Sequence, residues 1–255
     1  MLRRMSPWLL LLASTLAGCA TDSLPRTGGQ TSKARNAAEV QVTLGQRYLE
    51  QGKLEIALEK LQKALQYDPT FADAHTVIAV LFERIGNTRE AEQHYRRAAE
   101  LLPKNGAVNN NYGTYLCRTG RLDEADKYFD RAVADPFYKT PDVAYSNAGT
   151  CLLQARNFEK AETRLRRALE LNSANGEALY QLAFILFQKS DFFKARAFIQ
   201  RFDALGKASA EGLSLGHDIE DKLGNKREAA EYARRLRTEF PDSEQARHLE
   251  SSTPS

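Results

Sequence analysis

The chain has 255 residues, 42% of them apolar and 27% charged, with 36 basic side chains against 33 acidic ones and a formal net charge of +3. That composition belongs to a globular protein able to bury a sizeable core, and it excludes collagen-like and low-complexity chains. The near balance of charge, without a basic patch or a reading motif, excludes nucleic acid as a partner.

The N-terminal residues stand apart from any fold. Arg3 and Arg4 precede the apolar run from Trp8 to Ala13, and small residues follow. This is the pattern of a secretory signal over residues 1–18, and the run is too short for a transmembrane helix, which needs about 20 apolar residues. Leu16-Ala17-Gly18-Cys19 resembles the lipobox of bacterial lipoproteins. The resemblance implies that the Cys19 thiol takes a diacylglycerol, that the signal is cut before it, and that the new amine is acylated. Stable anchoring takes roughly two acyl chains, at about 0.8 kcal/mol per buried methylene. Ala20 is not the aspartate that retains such proteins at the inner membrane, so the expected location is the periplasmic face of the outer membrane. Without Arg3 and Arg4 the formal charge falls to +1. Residues 19–37 are polar, with Pro25, Gly28 and Gly29, and read as the lipidated N-terminus and a flexible linker, with any ordered helix starting no earlier than Lys33. Eighteen flexible residues span roughly 25 Å.

The rest repeats. From Ala72 to Lys104 the helical spacing predicts two short amphipathic helices, with Ile78, Ala79 and Phe82 on one face of the first and Ala91, Tyr95 and Ala98 on one face of the second. Gly86 lies between them and Pro103 stops the second. Copies of this unit start at Ala38, Ala72, Gly106, Asp142, Gly176 and Ala210, at a 34-residue step broken by a two-residue insertion before Asp142. The twentieth position is alanine in every copy: Ala57, Ala91, Ala125, Ala161, Ala195 and Ala229. Helix B presses against helix A there, and a larger side chain would force them apart. The twenty-fourth position is mostly large, as Leu61, Tyr95, Phe129, Leu165 and Ile199, with Ala233 the exception. Glycine marks the inter-helix turn as Gly52, Gly86, Gly120 and Gly224, replaced by Arg156 and Ser190 in two copies. Period and pattern together resemble the tetratricopeptide repeat (TPR). The implied fold is all-α, a right-handed superhelical solenoid of six helix hairpins over residues 38–249. The sixth copy is irregular: Gly216 and His217 take its central positions, and Leu213, Leu215, Ile219 and Leu223 pack on a shifted face. Asp242 or Ser243 caps a closing helix over residues 242–249, leaving 250–255 frayed.

No enzyme constellation is present. His75, His94, His217 and His248 lack metal-ligand spacing, and there is no phosphate-binding loop and no nucleophile elbow. Neither a metal nor a cofactor is expected. Cys117 and Cys151 fall on the first helices of neighbouring repeats, and a bridge or two separately buried thiols both fit that placement.

Function is therefore expected on the concave face, which in TPR proteins is lined by helix A positions two, five, nine, twelve and thirteen, and which can hold a peptide. Candidates are Val42, Gln46 and Leu49 in repeat one, Thr76, Val80 and Arg84 in repeat two, and Asn110, Asn111, Thr114 and Arg118 in repeat three. Asn147 and Thr150 follow in repeat four, then Tyr180, Phe184 and Phe187 in repeat five. Asn111 and Asn147 share position six, where amides can bond a peptide backbone or a neighbouring helix. The repeat five aromatics serve equally as partner surface or as inter-repeat packing. No complete clamp for a free C-terminal carboxylate is present.

Tyr112-Gly113, Cys117, the loop from Pro136-Phe137-Tyr138 to Pro141, and Asn147-Ala148-Gly149-Thr150-Cys151 are together similar to the PilF/PilW group of type IV pilus biogenesis lipoproteins. That resemblance implies a non-enzymatic pilotin, monomeric and anchored through acylated Cys19. It would bind secretin subunits, carry them to the outer membrane and promote their assembly into the pilus pore. The alternative of the same structural class is a general periplasmic adaptor that recruits cell-wall hydrolases or proteases.

Overall fold

The structure, a computed structural model, describes residues 28–206 and 208–251. The expected signal peptide, Cys19 and the first part of the linker lie outside these residues. Thirteen helices and no strand occur among the described residues. They pair as α1 (Gly28–Glu50) with α2 (Leu54–Tyr67), α3 (Ala72–Arg84) with α4 (Thr88–Leu101), and α5 (Gly106–Arg118) with α6 (Leu122–Val133). The series continues with α7 (Pro141–Gln154) and α8 (Phe158–Leu171), α9 (Gly176–Gln188) and α10 (Phe192–Asp203), and α11 (Ala210–Lys222) and α12 (Lys226–Glu239). Helix α13 (Glu244–Ser251) ends the described chain. None of these helices is long and apolar enough to cross a membrane.

The starts are written in short polar side chains. Asn87, Asn105, Asn157, Asn175, Asp191 and Ser209 each accept a backbone N–H three residues on, satisfying a donor that the first helical turn leaves free. Pro141 opens α7 at the first helical position, where its missing N–H costs nothing, one residue before the repeat start expected at Asp142.

Hairpins close on small residues. Ala57, Ala91, Ala125, Ala161 and Ala195 are fully buried. One turn later a large side chain enters the opposite helix: a Cβ added to Gly149 would lie 2.5 Å from Leu165 Cγ, so only glycine admits that side chain. In repeat six the contact moves by one residue. Gly216 receives the Tyr232 ring, which takes the place Ala233 leaves unfilled. Leu213, Leu215 and Ile219 are buried accordingly on a rotated face, and Leu223 packs at its edge.

Two expected boundaries are corrected. The linker was expected to run to residue 37, yet α1 begins at Gly28. After Gly29 no glycine or proline interrupts the helix until Gly45, and the extension is held from outside. Arg35 lies 5.0 Å over the Phe71 ring and 3.4 Å from the Asp68 carboxylate, and Ala38 is fully buried. At the other end, Ser243 accepts the Ala246 N–H at 3.1 Å, and α13 runs to Ser251, into the segment expected to fray. Burial of Ala246 and Leu249 against Leu213 and Leu236 holds it there.

The inter-helix turn holds a left-handed backbone in every repeat, at Gly52, Gly86, Gly120, Arg156, Ser190 and Gly224. Arg156 (φ 55°) and Ser190 (φ 59°) carry a Cβ in that region, which costs each about 1 kcal/mol. Both side chains are exposed. Arg156→Gly and Ser190→Gly are therefore expected each to raise the thermal midpoint by about 2 °C, read by circular dichroism. A fall in both variants would contradict the strain.

Repeat two joins its helices through an imidazole pair. His75 Nδ1 lies 3.0 Å from His94 Nδ1, and His75 Nε2 lies 3.2 Å from the Pro69 carbonyl oxygen. A carbonyl only accepts, so the His75 proton sits on Nε2 and His94 Nδ1 donates to His75. Burial pushes both pKa values below the ordinary histidine range, with Arg97 adding to the shift at His75 and His75 adding to that at His94. A depressed folded-state value means that the unfolded chain takes up the proton first, so this stability is complete above about pH 6.5 and is lost as pH falls below it. Thermal melts at pH 7.5 and 5.5 should show a drop that shrinks in the His75→Gln/His94→Gln variant. An unchanged drop would place the titration elsewhere.

Candidate protein-binding face

The first helix of each hairpin packs on the first helix of the next, so α1, α3, α5, α7, α9 and α11 form one continuous face. A chain of polar contacts runs along it. Arg84 donates to the Leu49 carbonyl oxygen at 2.6 Å, crossing from repeat two to repeat one. Arg118 pairs with Glu83 at 2.7 Å, and the same carboxylate accepts the buried Tyr95 hydroxyl at 2.8 Å. Burial first, and then this hydrogen bond, drive the Tyr95 pKa far upward, so the phenol stays neutral. Asn147 Nδ2 donates to Asn110 Oδ1 at 3.1 Å and reaches Thr114 Oγ1 at 3.4 Å. Thr150 donates to Glu177 at 2.8 Å, and Gln181 donates to the same oxygen at 2.9 Å.

These contacts sort the candidates. Val42 and Leu49, expected in the groove, are 5% and 7% exposed, because α3 of the next repeat covers them and they share a core with Ile78 and Leu81. They are core residues. Asn147 meets Asn110, which is itself buried, instead of its position-six counterpart Asn111. Thr76 is half-buried and returns its hydroxyl to the Ala72 carbonyl oxygen at 3.1 Å. Gln46 and Val80 stay open to solvent near the front of the face.

At the far end Tyr180, Phe184 and Phe187 are half-buried. Each packs into the repeat five–six core, with Tyr180 5.8 Å from the Phe202 ring and Phe187 5.5 Å from Phe192. The edges they leave open line a shallow cleft of about 270 Å³ with Ser214, Leu215 and Gln245. Inter-repeat packing is thus present at all three side chains, and their open edges leave surface beside it. Glu177 was not singled out from the sequence, although it stands at position two, one of the positions expected to line the face.

Cys117 on α5 and Cys151 on α7 are joined in a disulfide, with Cα atoms 5.7 Å apart and both residues buried. It ties repeats three and four behind the Asn110–Asn147 contact. Closing a separation of 34 residues is worth about 4 kcal/mol by loop entropy. Reduction should therefore lower the denaturant midpoint of the native chain while leaving the Cys117→Ala/Cys151→Ala variant unmoved. Equal sensitivity of the two would show that the bridge carries no stability.

Among the described residues no three histidine, cysteine, aspartate or glutamate side chains converge to hold a metal ion. What the face offers is a long row of hydrogen-bonding and apolar groups, which suits a protein segment.

Comparison with known proteins agrees with this architecture. Tetratricopeptide-repeat families match residues 45–86, 79–139, 147–210 and 215–243. The type IV pilus assembly protein PilF of Pseudomonas aeruginosa is 30% identical over 236 residues, covering 92% of this chain and 93% of that protein. The crystal structure of PilW, a widely conserved type IV pilus biogenesis factor, superposes with a TM-score of 0.76 at 30% identity, over 83% of this chain and 97% of PilW. The structure of Pseudomonas aeruginosa PilF does so with a TM-score of 0.79 at 28% identity, over 87% and 100%. The chain belongs to the PilF/PilW family of tetratricopeptide-repeat proteins of type IV pilus biogenesis.

Proposed function

We propose that this protein acts in type IV pilus biogenesis as a lipid-anchored pilotin, binding secretin subunits and promoting their localisation and oligomerisation at the outer membrane. The observation that carries this reading is the match to PilF across more than nine-tenths of both chains, which leaves no large part of either outside the likeness. The lipobox and the continuous helix A face supply the physical means. Acyl chains on Cys19 would give membrane affinity, and the face from Gln46 to Phe187 would give protein affinity. One molecule holding both raises the local concentration of subunits at the membrane, where a ring can nucleate. No turnover is needed, and the protein works by holding its partner.

Cys19→Ser separates the two halves of this mechanism because it leaves the folded face intact. The variant should leave the outer-membrane fraction, and heat-resistant secretin multimers should fall by about tenfold or more with the subunit pool unchanged. Multimers assembling at the native level in the outer membrane would sink the tethering mechanism.

A further inference from the structure

The two-residue insertion does more than break the repeat. After α6 the chain turns through residues 134–140, and Asp135 fixes the turn: one carboxylate oxygen accepts the Gly106 N–H at 2.7 Å and the other accepts the Phe137 N–H at 2.9 Å. Tyr138 packs on Gly106 so closely that an added Cβ would lie 2.5 Å from its ring. With Asp135 and Tyr138 held on either side, Phe137 is turned outward and is 85% exposed, the most exposed large apolar side chain among the described residues. It stands at the edge of a cleft of about 480 Å³ floored by Pro103, Ala134 and Pro136, with Lys104 and Arg131 among its walls. Neither cation forms a salt bridge among the described residues, and Arg131 is held 4.7 Å over the Tyr128 ring. Asp135 spends both oxygens on backbone N–H groups.

We propose that this cleft is a second docking site, distinct from the helix A face, for a segment of a partner protein bearing an apolar side chain beside carboxylates. The backbone that carries the ring is already held, and an aromatic beside a concave apolar floor is the usual centre of a binding hot spot. The two cations select acidic flanks. The concavity disfavours a bilayer, which would press on a convex patch. Two copies of this cleft would bring like charges together, which disfavours self-association. The inference is independent of the secretin reading.

The test uses the full chain in detergent solution with fluorescent hexapeptides of sequence Asp-Glu-Leu-Phe-Glu-Asp and Lys-Lys-Leu-Phe-Lys-Lys, read by anisotropy. The acidic peptide should bind with a Kd below about 1 mM and at least about tenfold more tightly than the basic one. Phe137→Ser should weaken it by about tenfold, and Lys104→Glu/Arg131→Glu should reverse the preference. Phe137 is exposed, so the thermal midpoint should stay unchanged in Phe137→Ser. It should fall by only a few degrees in Lys104→Glu/Arg131→Glu, where the Tyr128 contact is lost, so that the melt reports folding. Equal binding of the two peptides, no binding, or indifference to Phe137→Ser would overturn the proposal. So would a dimer in sedimentation that Phe137→Ser abolishes, which assigns the cleft to a second copy. A Phe137→Trp emission shift on phosphatidylglycerol vesicles but not with the acidic peptide would assign it to lipid.

Discussion

The whole solenoid depends on how closely the two helices of each hairpin approach. Alanine at the twentieth position has no accessible surface in the first five repeats, and the large residue one turn later lies in van der Waals contact with the opposite helix. Because that distance is set by backbone and methyl groups, the first five hairpins close in the same way. Stacking of such hairpins is what brings the first helices into one face. The face is a consequence of the core.

Once the face is formed, much of its polar chemistry is spent within the protein. Arg84 and Arg118 both reach back to the preceding repeat, and the Asn110–Asn147 contact and the Cys117–Cys151 bridge fasten repeats three and four. The last two are made at buried residues, Asn110, Cys117 and Cys151, and stiffen the middle of the superhelix. Surface still free for a partner lies toward the two ends, at Gln46 and Val80 and at the open edges of Tyr180, Phe184 and Phe187. Ion pairs from an inter-helix turn to the second helix of the preceding repeat, such as Arg121 with Glu92 and Lys189 with Glu162, add neighbour contacts. Each is partly exposed, and solvent screening keeps its separate contribution small.

The fold was legible because it rests on repetition. Alanine, glycine and proline recur at fixed intervals, and each has one physical reason to be there. The shifted packing of repeat six was legible too, since Leu213, Leu215 and Ile219 keep helical spacing on a rotated face. The ends were read less well. Nothing local marks residues 28–37 as helical, and the Arg35 contacts that hold them come from Asp68 and Phe71, more than thirty residues away. The candidate face was only partly legible for a related reason. Position numbers say which way a side chain leaves its helix, but not whether a neighbouring repeat covers it, and Val42, Leu49 and Asn110 are covered. Phe137 shows the converse: the insertion was visible in the sequence, but its outward fixing depends on Asp135 and Gly106 meeting across 29 residues.

The helix A face is the proposed surface on which this protein holds its partner. The most direct measurement places a photocrosslinking side chain in turn at Gln46, Val80 and Phe184 on that face, and at Arg97, Lys127 and Arg167 on the second helices, in cells that express the secretin. Secretin adducts are expected from the first set and none from the second. Adducts confined to the second set would contradict it.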